Sequence, residues 1–115
     1  MNTKKYAVSS FKDGEITNHC LHTTDKRHLD TNCGDIQCRI ERGEQVTIQL
    51  PTNVTIHFSG VAGGLKATIA DFSKEEPLFA TETALYGKES VYTQKPIARS
   101  EDGENFLAKL LATYA

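Results

Sequence analysis

Three stretches of strict alternation constrain this chain more than any other feature. Val46, Ile48 and Leu50 are spaced by Thr47 and Gln49; Val54, Ile56 and Phe58 by Thr55 and His57; Leu65, Ala67 and Ile69 by Lys66 and Thr68. Successive side chains of a strand point to opposite faces, so this period predicts antiparallel strands with one buried and one wet face. Ile36, Cys38 and Ile40 alternate with Gln37 and Arg39 in the same way. They are read as a further strand, with Cys38 as a core thiol and Glu41-Arg42-Gly43-Glu44 as the turn that ends it. Pro51-Thr52-Asn53 separates two strands, since proline cannot donate to a ladder. Gly60 to Gly64 reads as a flexible hairpin loop. It lacks the Gly-Lys-Ser/Thr ending of a phosphate loop and opens no helix.

Upstream, Tyr6 and Val8 alternate with polar neighbours, and Asp13-Gly14 sits between Phe11 and Ile16. Asp-Gly favours a type I′ turn, which needs positive φ at both central residues, so a hairpin with a return strand over 15–23 is predicted. Residues 24–35 are polar and turn-rich and read as a long loop. Leu78 to Leu85, bracketed by Pro77 and Tyr86-Gly87, has a strand-like length, and Val91 to Thr93 a shorter one. Near the C-terminus, Phe106, Leu107, Leu110, Leu111 and Tyr114 form one apolar helical face, with Ser100 or Asp102 as cap and acid at its start. The expectation is a single β-rich α+β domain over residues 1–115: an antiparallel sheet or sandwich of six or seven strands with one C-terminal amphipathic helix.

Charge and composition exclude several roles. Residues 1–58 carry seven basic and seven acidic groups and residues 59–115 carry six and eight, so neither half has the positive excess that phosphate-backbone binding requires. No apolar run approaches a membrane span, and charge at Phe11 to Glu15 interrupts anything like a signal-peptide core. With three cysteines, an odd number, the expectation is a cytoplasmic protein with reduced thiols.

Chemistry-bearing residues cluster in one place: His19, Cys20, His22, His28, Cys33 and Cys38. Thiol and imidazole are the usual ligands of zinc, so Cys20, His22, Cys33 and Cys38 are candidate ligands. Cys20 and His22 share a strand face, but no tight C-x2-C or H-x3-H pair is present. Cys33, in the turn-like Asn32-Cys33-Gly34-Asp35, is a candidate nucleophile, with His28 as a candidate base. Glu75-Glu76 and Glu101-Asp102 are better explained by solvation and helix capping than by acid–base work.

Elimination leaves a small non-catalytic binding or accessory module that engages a protein partner or a second copy. Lys26, Arg27, His28 and Asp30 in the long loop are the expected contact residues. No cofactor is called for on this reading. The alternatives are a zinc-stabilised domain built on the 19–38 cluster and a small cysteine-dependent enzyme.

Overall fold

In a computed structural model, the protein is described for residues 5–23, 26–61, 64–85 and 101–114. Six strands form one antiparallel sheet: β1 (Lys5–Lys12), β2 (Glu15–Thr23), β3 (Gln45–Gln49), β4 (Val54–Val61), β5 (Gly64–Asp71) and β6 (Leu78–Leu85), in the order β2-β1-β3-β4-β5-β6. Two helices, α1 (Lys26–Glu41) and α2 (Glu101–Tyr114), are packed against each other, and their buried side chains join the apolar side chains of the sheet in one core. The α+β class, the strands from 45 onward and the C-terminal helix agree with the sequence pattern. The expected strand at 91–93 and Ser100, one of the two cap candidates, lie outside the described residues, and Asp102, the other, falls within α2.

The alternating residues do what their period requires. Val46, Ile48, Val54, Ile56, Phe58, Leu65, Ala67 and Ile69 are all buried beneath the helices. Leu107, Leu110 and Leu111 of α2 close over them, and Phe106 meets Phe58 edge to face at 6.4 Å between ring centroids. Thr52 donates to the Tyr114 carbonyl at 2.5 Å and ties the last turn of α2 to the β3–β4 turn.

Two turns are set by local chemistry. Asp13 has φ 54° and Gly14 φ 80°, the paired positive angles of a type I′ hairpin. At the β3–β4 turn, the Asn53 N–H donates to the Leu50 carbonyl at 3.2 Å, with Pro51 following Leu50 and Asn53 itself left-handed at φ 65°. Between Ser10 and Phe11 the β1–β2 register slips, leaving Thr17 as an extra residue on β2.

The region 26–41 corrects the sequence reading. Lys26, Arg27, His28, Asp30 and Cys33 do not lie in a loop, and Ile36, Cys38 and Ile40 do not form a strand; all belong to α1. The buried positions are Cys33, Gly34, Ile36, Gln37 and Ile40, a helical stripe at i, i+1, i+3, i+4 and i+7. Cys38 is off that stripe and half-buried, so it is not the core thiol that alternation suggested. The segment 41–44 is a helix stop. Glu44 N–H donates to the Arg39 carbonyl at 3.1 Å and Gly43 N–H to the Ile40 carbonyl at 3.0 Å, with Gly43 at φ 89°. This is a Schellman motif, whose left-handed residue is best served by glycine.

The β2–α1–β3 passage is a crossover. β2 and β3 flank β1, each antiparallel to it, so they run parallel to each other and α1 carries the chain across the covered face. The opposite face carries neither helix.

Candidate functional site

The cluster that the topology assembles lies at the β2 edge of the covered face. Tyr6 pairs with His22, Val8 with Cys20 and Ser10 with Asn18 across β1 and β2. Tyr6, Val8 and Ser10 are buried, so Asn18, Cys20 and His22 stand on the same side, toward the helices. The sulfur of Cys20 is 3.0 Å from His22 Nε2, and Asn18 Nδ2 is 3.9 Å from the same sulfur. All three residues are half-buried, which leaves them open to solvent at the sheet edge.

Tyr6 completes the corner. Its ring lies 5.7 Å from that of His22, and its side chain is 1% exposed. Burial pushes the phenol from its ordinary value near 10 up to about 12; the nearby Asn32 side chain offsets part of the rise, and Cys33 and Cys20 add to it. Among the described residues, no group accepts or donates a well-formed hydrogen bond at its hydroxyl.

The structure therefore joins some of the sequence candidates and separates others. Cys20 and His22 are in contact, as their shared strand face required. Cys33 enters the same corner from α1, buried and near Tyr6. His28 is exposed, five residues before Cys33 on the helix, a spacing that turns the two side chains about 140° apart, so it is not placed to act as a base for that thiol. Among the described residues, no three His, Cys, Asp or Glu side chains converge as a metal ion would require. None of the three thiols is in a disulfide. Asn18 and Tyr6 escaped the sequence reading. The signal for Asn18 was present in the every-second-residue run Asn18, Cys20, His22; Tyr6 is brought in only by the cross-strand register.

The uncovered face is chemically distinct. Its outward positions are Ala7, Ser9 and Phe11 on β1, Ile16, His19 and Leu21 on β2, Gln45, Thr47 and Gln49 on β3, Thr55, His57 and Ser59 on β4, Thr68 and Ala70 on β5, and Phe79, Thr81 and Thr83 on β6. Only Lys5 and Lys66 bring charge to these strand positions, and no carboxylate does. Ser9 and His19 share a hydrogen bond at 2.7 Å, Thr47 and His57 another at 2.8 Å, and Thr55 donates to Gln49 at 2.6 Å. Ile16, Leu21 and Phe79 are each more than 60% exposed.

At one end of this face lies a half-open groove of about 480 Å³, lined by Phe11, Lys12, Asp13, Gly14, Gly43, Gln45, Thr47 and His57. The type I′ turn and the α1 stop form its wall. Glu44 joins the two by accepting from Thr17 at 2.5 Å and pairing with Arg42 at 3.3 Å. Burial lowers the His57 pKa, so its ring sits neutral at the groove floor at neutral pH.

Among the described residues, fold and faces together define an open-faced α+β sandwich in which one sheet surface carries neither helix and little charge. No family model, curated protein or solved structure matches the chain.

Proposed function

We propose that this protein is a small non-catalytic binding module that engages a protein partner across the uncovered sheet face. One observation carries the reading: six strands present a continuous outward surface with two lysines and no carboxylate, in a chain in which 24% of residues are charged. Solvated faces normally carry most of a protein's charge. Depletion of charge together with exposed aromatic and aliphatic side chains is the composition of an interface centre. The absence of a basic excess on this face also favours a protein over a nucleic acid.

A photo-crosslinking residue at Thr68, exposed in the middle of the bare face, tests this reading against one at Lys109, exposed on α2. Discrete crosslinks from position 68 that vanish when Thr47→Glu places a carboxylate on the same face are the expected result. Crosslinks equally strong from position 109, or indifferent to Thr47→Glu, overturn it. Repeating the reaction on the purified protein separates a second copy from a different partner. No helix among the described residues is long and apolar enough to cross a membrane.

A further inference from the structure

We infer that Cys20 is a covalent acceptor site for acyl groups, with His22 as the base that takes the thiol proton. The site lies on the opposite side of the sheet from the proposed binding face and does not depend on it.

Four observations converge. Cys20 Sγ and His22 Nε2 are 3.0 Å apart, within hydrogen-bond reach of each other, as an activated thiol and its base must be. Both are half-buried on the edge strand β2, with Cys20 packed against the rim of the core and not enclosed within it. Asn18 Nδ2, a neutral N–H donor, stands 3.9 Å from that sulfur on the side chain two positions upstream. Tyr6 packs on the His22 ring, and its buried hydroxyl lies near both Cys20 and the Asn32 side chain. Amide and phenol donors beside a thiol are the groups that stabilise negative charge on a carbonyl oxygen under attack.

The step balances without an oxidant or cofactor. The proton passes from Cys20 Sγ to His22 Nε2 and the sulfur attacks the carbonyl carbon of an ester or thioester. The S–C bond forms as the carbonyl π pair moves to oxygen. Collapse restores the C=O bond and breaks the bond to the leaving alkoxide, phenoxide or thiolate, which takes the proton from His22. The acyl group ends on Cys20.

The probe is p-nitrophenyl acetate, applied in excess to the full native chain and read by peptide mass spectrometry. Trypsin places Cys20 alone in the peptide 13–26 and both Cys33 and Cys38 in the peptide 28–39. A single acetyl group on 13–26, formed on the order of tenfold or more faster than on the guanidinium-unfolded protein, is expected. His22→Gln should remove most of that advantage while circular dichroism stays native, and Tyr6→Phe should lower the rate a few-fold. Acetylation mainly on 28–39, or a native rate for Cys20 no greater than the unfolded one, overturns the inference. The native-against-unfolded comparison needs no variant, so a substitution that fails to fold does not spare the proposal. Loss of the crosslinks at position 68 would leave this result untouched, so the two readings fail separately.

Discussion

Ile56 and its neighbours Thr55 and His57 are consecutive in β4, yet they belong to different environments. Ile56 is 0% exposed under the helices, while Thr55 and His57 stand on the bare side and hydrogen-bond to β3. The same division runs across the sheet. The covered face has an apolar centre, and at one corner Tyr6, Ser10, Asn18, Cys20 and His22 gather beside α1, with Tyr6 near Asn32 and Cys33 and Ser10 accepting from Arg39. The bare face is built of hydroxyl, amide and imidazole groups with scattered exposed Ile16, Leu21 and Phe79. The covered face holds the fold together by burial, whereas side chains on the other face are expected to cost little to change. The corner is the exception: polar and ionisable groups there are drawn in beside the core, and burial raises the Tyr6 pKa.

The largest test of this contrast is truncation on each face. Phe58→Ala removes a fully buried ring and its edge contact with Phe106 and should cost about 3–5 kcal/mol in urea unfolding. Thr68→Ala on the bare face should cost less than about 0.5 kcal/mol. Equal costs would erase the distinction between the faces.

Tyr6 sharpens the exception. Its folded pKa is raised to about 12 from an ordinary 10, so the folded state holds the proton more tightly than the unfolded chain. The contribution is therefore fully present below pH 10 and is lost as the pH climbs from 10 toward 12, a loss of up to about 2–3 kcal/mol. Tyr6→Phe should abolish that part of the alkaline loss. At pH 7 it should change stability by less than about 1.5 kcal/mol, because the desolvated hydroxyl it removes has only the Asn32 side chain to offset its burial. Chemical denaturation at pH 7 and pH 11 of both proteins checks the sign.

Gly43 tests what fixes α1 above the covered face. At φ 89°, with nothing within 4 Å of an added Cβ, Gly43→Ala should cost about 1–2 kcal/mol through backbone strain alone. Gly43→Asn, which tolerates the left-handed region, should cost less. Identical losses for the two would point away from backbone conformation as the cause.

The smallest effect belongs to His57. Its pKa is lowered by burial, so the unfolded chain takes up a proton first and stability falls as the pH drops below the ordinary 6.5. His57→Gln should flatten the melting-temperature profile between pH 7 and pH 5. An unchanged slope would mean that the groove floor is as wet as the rest of the bare face.

Much of this division was legible in the chain. Strict alternation at 46–50, 54–58 and 65–69 assigned each side chain to a face, because a strand's period is two whatever packs against it. Asp13-Gly14 announced its turn because few pairs tolerate two positive φ angles. The reading failed at 26–41. Ile36, Cys38 and Ile40 alternate as a strand would, and the helical stripe is disguised because Gln37 and Gly34 occupy buried positions normally held by aliphatic residues. The helix stop at Gly43 has the same residues as a strand turn, since glycine in a charged segment after an apolar run marks either. The candidate site was half legible: the pairing of Cys20 with His22 follows from strand phase, whereas His28 and Cys33 were separated by the helix that replaced the expected loop.

By itself, then, the sequence determined the class of the protein, the faces of its central strands and the hairpin at its start, because these depend on local period and backbone preference. Only the tertiary structure decided that 26–41 crosses the sheet as a helix, that both helices cover the same face, and that Tyr6 comes to lie beside Cys20 and His22. Those outcomes depend on pairings between residues distant in the chain. Register and layer packing are chosen by the free energy of burying the whole apolar face at once, which no single segment carries.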